Sequence, residues 1–437
     1  MLRSGFRPKR VPVAGRTWLL AGVALAALAA RPAAAAPTYQ FEGTIAVPTT
    51  SYNTTGTFIG YDLSTFDASD GLYYLTDRSN NAVDVFSAKT NSFVTYLGLG
   101  SFAGNTPSSG SAGPNGISIT TLGNGDHLLL AGNSPSNFVE FNLAPDGTTV
   151  LGTPQTISTA VAGTPVPQNR VDGVAYSPTA NTVLAANNAS NPGFITLVNN
   201  ANGAVIRSLL LDGANGTPNV GGNGVEATIF NTVRNSFFVA VPALTAAATD
   251  AGGVIEVSAT TGQILNTYDF DALGLGASGS CSPTGMAQGA GGTLVVACSV
   301  GGTQSIILDP TGKGSIRVIA GTSGSDELTY DPTNGLAFEA DRFQVGGSVL
   351  GIVDTSTAQS TQNLPISYNA HSVAVDPVSG EVFVALDASS GTNTDAVCPS
   401  GCIGVFGIEP TAVPEPATLP VMAMGLIALG VGVRRRS

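Results

Sequence analysis

Basic residues are nearly absent from the body of this 437-residue chain. Nine of its 17 lysines and arginines crowd into the two ends, and eight remain in residues 37–412 against 28 Asp and Glu. The body is therefore about 20 charges negative, which disfavours nucleic acid and anionic lipid as partners and leaves divalent cations and neutral glycans open. Tryptophan is missing too, apart from Trp18 near the N-terminus. Without it the best stacking platform is gone, and a lectin-like role would have to use tyrosine. Apolar runs in the body are short, and Gly, Ser, Thr, Asn and Ala dominate between them. That composition belongs to short strands joined by many turns and gives no support for long helices. Catalytic signatures are also lacking: no GxSxG, HExxH, Walker loop or dinucleotide fingerprint stands in a suitable context.

What is present begins at the ends. Arg3, Arg7, Lys9, Arg10 and Arg16 precede TWLLAGVALAALAA, and small residues follow up to Ala36. A positive segment, an apolar segment and a small-residue cut site make residues 1–36 a secretory signal peptide, cleaved after Ala35 or Ala36. No Arg-Arg pair precedes the apolar stretch, so a twin-arginine route is disfavoured. At the other end, residues 417–433 form a 17-residue apolar run closed by Arg434, Arg435 and Arg436. A helix of that length just spans a bilayer, with the arginines held on the cytoplasmic side. Val413, Pro414, Glu415 and Pro416 precede it in an extended, accessible stretch.

VPEPAT, the Gly-punctuated apolar helix and the terminal arginines resemble the PEP-CTERM sorting signal. The resemblance implies that residues 411–437 are a tail recognised by a membrane exosortase, which removes the helix after a transient membrane association. The expected destination is the cell surface or medium, beyond the inner membrane. A plain tail anchor with an incidental Pro-Glu-Pro is the other reading.

The four cysteines, Cys281, Cys298, Cys398 and Cys402, are all confined to the later part of the chain. An even count in an exported protein reads as disulfides, with Cys281 joined to Cys298 and Cys398 to Cys402 by sequence order. A thiolate metal site is the alternative.

The body repeats itself. GYDLSTFDASDGLYYLTDRSNNAVDVFSAKT and SDELTYDPTNGLAFEADRFQVGGSVLGIVDTST share one frame of alternating strands around an Asp-led turn. RVDGVAYSPTANTVLAANN, VEATIFNTVRNSFFVAV and AHSVAVDPVSGEVFVALD repeat it, and PNGISITTLGNGDHLLLAGN and PTGMAQGAGGTLVVACS are weaker copies. A single meander cannot bury both faces, so seven copies predict an all-β, seven-bladed β-propeller over residues 37–410. YLTDRSNNAVDVFS resembles NHL-type repeats, and HSVAVDPVSGEVFVA and LTYDPTNGLAFEA resemble YVTN-type repeats, families that are mainly seven-bladed propellers. The last copy supplies three strands, 371–376, 381–386 and 402–408. The orphan strand 39–47 is suited to complete it and to remove an open edge. The mature body is expected to be a monomer.

Aligned on the turn, the copies place Asp62, Asn115, Asp172, Glu226, Thr284, Asp326 and His371 at one position, where the chain enters each inner strand. Seven polar residues there would ring one mouth of the central channel. Such residues cap local turns without any ligand. Four carboxylates around one axis also repel unless a cation or protons relieve them, which makes Asp172, Glu226 and Asp326 candidate ligands for a hard cation such as Ca²⁺. His127, in the turn GNGDHLL, reads as an exposed residue on the opposite face.

Two functions follow. The first is a non-catalytic surface or matrix protein that binds exopolysaccharide or other surface proteins. The second is a cation-dependent hydrolase or lactonase at the channel mouth, with a carboxylate or His371 as base. Gluconolactonase-like propellers are similar in placing acidic and amide residues around such an axis.

Overall fold

Five of the seven copies turn from first to second strand by the same chemistry. The strand ends on Asp67, Ser177, Asn231 or Asp331, or just before Asp376, and four residues after each of these the backbone needs a positive φ, met by Gly71, Asn181, Asn235, Gly335 and Gly380. Glycine adopts that conformation without cost, and asparagine is among the few other residues that tolerate it. Where the leading residue is aspartate, its carboxylate also accepts an N–H two residues on, as at Ser69, Thr333 and Val378, each at 2.8 Å.

The computed structural model describes residues 36–161, 169–245, 247, 250–275, 281–300, 302–388 and 397–410. Residues 1–35, where the signal peptide is expected, and the tail 411–437, with its expected helix, lie outside the described residues. Among the described residues no helix is long and apolar enough to cross a membrane.

The described strands form seven four-stranded antiparallel sheets. Six are sequential, over 61–97, 117–158, 173–210, 228–269, 283–318 and 327–365. The seventh combines Val373–Val375, Val382–Leu386 and Cys402–Ile408 with the N-terminal strand Tyr39–Ala46 at its outer edge. Its innermost strand is shorter than the 371–376 expected: Ala370 closes a turn onto the carbonyl of Ser367, and the Ser372 hydroxyl donates across to Ser64 of the first blade. Inner strands of successive blades touch all the way round, the first and seventh included, so the propeller closes.

The core is divided in the same way. Seven apolar clusters each lie between two neighbouring blades; Tyr61, Tyr73 and Phe86 of the first blade, for example, pack on Ala374, Phe383 and Val405 of the seventh. This corrects the expectation of alternation in every strand. Second strands such as Leu72–Asp77 and Ser236–Val241 are buried along their whole length, since a blade covers each face. Alternation survives in outer strands such as Gln359–Pro365.

Both disulfides are formed, Cys281–Cys298 beside the pairing of Pro283 with Cys298, and Cys398–Cys402 across a short turn. The thiolate metal site is thereby set aside.

Candidate functional site

A cavity of about 1050 Å³ runs along the propeller axis, from Asp62, Asp172, Glu226, Thr284, Asp326 and His371 at one end to Phe66, Tyr176 and Phe230 further down. Asn115 stands behind this lining. It is fully buried, its Oδ1 accepts from Arg78 Nε at 2.9 Å, and its Nδ2 donates to the carbonyl of Ala112 at 3.0 Å. Asn115 is thus a support for an arginine rather than a wall of the channel.

Arginines are what the sequence reading missed. Arg78 pairs with Asp62 at 2.5 Å, Arg170 with Asp172 at 3.1 Å and Arg342 with Asp326 at 3.1 Å. Two of these pairs were legible, because Arg78 follows Asp62 at the same spacing that separates Arg342 from Asp326. The interval spans the inner strand, its turn and the second strand, so the arginine returns to the mouth beside the carboxylate that opened the blade. The relief that the sequence argument left to a cation or protons comes largely from these guanidinium groups. Buried pairs of this kind hold geometry more than they add stability.

Protonation completes the balance. Burial would raise Asp62, but Arg78 and Arg170 outweigh it and hold the carboxyl below its ordinary value. Asp172 is raised, by burial first and by the charge of Asp62, with Arg170 opposing. Glu226 has no arginine beside it at the mouth from its own blade, since Pro242 occupies the position that corresponds to Arg78 and Arg342, and Arg234 of that blade pairs with Glu256 instead. Burial and the nearby Asp172 push it well above the carboxylate range, and it keeps its proton and donates a hydrogen bond to Asp172. Glu327, also lining the channel, is likewise held protonated by burial. Asp172 and Glu226 are therefore brought together by a shared hydrogen bond, whereas Asp326 is committed to Arg342. Thr284 reaches the carbonyl of Ser325 at 3.4 Å.

His371 is oriented on two sides. Its Nδ1 donates to the carbonyl of Asn369 at 2.7 Å, which fixes the tautomer and leaves Nε2 as the bare nitrogen, 3.9 Å from Asp62 Oδ1. The ring stacks on Tyr61 at 4.6 Å, and Tyr61 stacks on Phe58 at 4.7 Å. Burial lowers its pKa, with Arg342 adding to the effect, so the imidazole is neutral at physiological pH.

His127 departs from its expected place. It is 1% exposed, its Nδ1 lies 2.8 Å from Asp67 Oδ2, and its Nε2 lies 3.8 Å from Asp70 Oδ2. The turn before it is short, and His127 already belongs to a second strand covered on both faces. Among the described residues, Asp67, Asp70 and His127 are the group whose ligand atoms lie close enough for a metal, within 4.8 Å. They are engaged with protein instead: Asp67 accepts from Ser69 and Thr121, and Asp70 from the Leu72 N–H and the Tyr74 hydroxyl. The cluster ties the first blade's turn to the second blade.

No protein-family model matches the sequence, and no curated protein does. Solved structures do match. A streptogramin B lyase aligns with a TM-score of 0.54 at 13% identity, covering 85% of this chain and 98% of that one. Virginiamycin B lyase from Staphylococcus aureus aligns at 0.53 with 13% identity, covering 85% and 99%. A catalytically inactive histidine-to-alanine variant of that lyase, with quinupristin, aligns at 0.55 with 12% identity, covering 85% and 100%. The likeness is one of fold. At these identities it carries no residue role across.

Proposed function

We propose that this chain is an exported, non-catalytic binding protein whose channel mouth holds a small, uncharged, hydroxyl-rich molecule. The observation that carries the reading is the closed charge balance: three Arg–Asp pairs and a protonated Glu226 offer donors and acceptors side by side without net charge. Such a surface suits hydroxyl groups, which donate and accept at once, better than a bare cation. Thermal melts with glucose, galactose, mannose and N-acetylglucosamine, and separately with CaCl₂, test it. At least one sugar is expected to raise the melting temperature, and Asp172→Asn to abolish the rise. A shift by Ca²⁺ alone would replace this reading with the cation site.

Export and sorting belong to the same proposal. The basic and apolar N-terminal segment supports secretion, and VPEPAT, the apolar run and the arginines support processing by an exosortase and release to the surface or medium. Mass spectrometry of surface protein should then find a C-terminus near Pro416. An intact chain to Ser437 in the membrane fraction would favour the tail anchor.

A second reading is favoured by His371. A neutral imidazole with Nε2 free, in the same mouth as the protonated Glu226, is a base and an acid in one site, as a hydrolase or lactonase requires. Hydrolysis of gluconolactone lost on His371→Gln would establish it.

A further inference from the structure

Beside the channel mouth lies a second, open cavity of about 560 Å³, bordered by Arg342, Phe343, Gln344, Ser348 and Tyr368. It shares Ser299, Arg342 and Phe343 with the channel, so the two spaces adjoin across these side chains. Phe343 is 41% and Tyr368 is 56% exposed, although most large rings of this protein are interior. The loop that carries Phe343 is held in place. Its N–H donates to the carbonyl of Gly324 at 3.0 Å, the Ser348 hydroxyl donates to the carbonyl of Arg342 at 2.9 Å, and Ser323 donates to the Gln344 side chain at 2.6 Å. The Arg342 guanidinium sits 4.5 Å above the Phe343 ring while also binding Asp326. One arginine therefore links the aromatic shelf to the polar mouth.

We infer that the ligand is a neutral oligosaccharide, with a terminal sugar in the mouth and the following ring on the Phe343–Tyr368 shelf. The inference rests on the mouth being the ligand site proposed above. A pyranose ring has an apolar C–H face and a rim of hydroxyls. The face fits an exposed aromatic ring, and the rim fits Arg–Asp pairs and the Gln344 and Ser348 side chains. Two adjoining cavities of this kind call for a chain of at least two rings. The acidic body, about 20 charges negative, repels polyanionic glycans and selects uncharged ones.

Calorimetry on the purified full-length protein tests this with glucose, cellohexaose, maltohexaose, laminarihexaose and chitohexaose as probes. At least one hexasaccharide is expected to bind roughly tenfold more tightly than glucose, a difference of ~1.4 kcal/mol. Phe343→Ala and Tyr368→Ala should each remove that gain, Tyr368→Ala without changing glucose binding because Tyr368 borders the second cavity and not the channel, whereas Asp172→Asn should weaken both. Both aromatic positions are exposed, so the variants should fold, as circular dichroism will report. Equal affinity for glucose and every hexasaccharide, or hexasaccharide binding that ignores both shelf variants, overturns the inference while leaving the mouth in place. No binding of any probe overturns both.

Discussion

Removing residues 37–48 should unfold the last blade and destabilise the whole ring. Tyr39–Ala46 pairs with Cys402–Ile408 from Tyr39↔Ile408 to Ala46↔Cys402, slipping once between Phe41 and Gly43. Tyr39 is fully buried against Phe338 of the sixth blade, and the Gln362 side chain grips its backbone N–H at 2.8 Å and carbonyl at 2.7 Å. Ile45 is buried with the cluster between the seventh and first blades. The deletion thus removes core contacts at two blade interfaces and exposes the edge of Cys402–Ile408. Burial of a large apolar side chain stabilises by about 1.5–3 kcal/mol, so Tyr39 and Ile45 alone are worth several kcal/mol before any ladder hydrogen bond. The expected result is a melting temperature lower by roughly 10 °C or more, with aggregation on gel filtration. Unchanged melting and elution would refute the closure.

Stability should peak near pH 4 and decline toward pH 8. Two blades bury a pair of carboxyl groups each. In the first, burial pushes Asp77 up to about 6, and burial with the charge of Asp77 pushes Asp84 well above its ordinary value. In the sixth, burial pushes Glu339 up to about 7, and burial with the charge of Glu339 raises Asp341 further. The geometry explains the exchange of partners. Asp84 faces Leu75 across the first blade, and the equivalent place opposite Glu339 is Gly351, where a Cβ would stand 2.8 Å from Asp341 Oδ2. The second carboxyl is supplied by the third strand in one blade and by the second strand in the other.

These four groups keep their protons in the fold after the unfolded chain has lost them, near pH 4. From there upward the unfolded state binds fewer protons, so stability falls. The loss levels off past about 6 for Asp77 and about 7 for Glu339, at up to ~3 kcal/mol each, and continues for Asp84 and Asp341. Below pH 4 the opposite group acts, because the lowered carboxylates Asp62, Asp67 and Glu256 gain protons and lose their partners. Melting curves from pH 4 to 8 should show a fall of roughly 10 °C between pH 5 and 8. Asp84→Asn and Asp341→Asn should each raise the pH 8 value and change the pH 5 value little. A melting temperature that is flat or rising from pH 5 to 8 would contradict this account.

Much of the architecture could be read before any coordinates. DASDG, DPTNG and DPVSG announce the turns, because a leading aspartate and a late glycine are local requirements of one tight connection. Seven copies of that frame imply seven blades, since each needs a neighbour to cover it. The spacing common to Asp62–Arg78 and Asp326–Arg342 was readable too, but only once the second strand is known to return to the mouth. His127 could not be placed from sequence. Its partner Asp67 lies 60 residues away in another blade, and nothing in GNGDHLL signals it.

Local chemistry, acting over a turn and two strands, thus accounts for the repeats, their number and the polar residue at each mouth position. The charge state of that mouth was settled by the closed ring alone. Packing brings Asp62, Asp172, Glu226 and His371 from four blades around one axis, adds Arg78, Arg170 and Arg342, and leaves each of them only partly open to the channel. Which carboxyl keeps its proton then depends on burial and on neighbours dozens to hundreds of residues distant, and no window of sequence contains those distances.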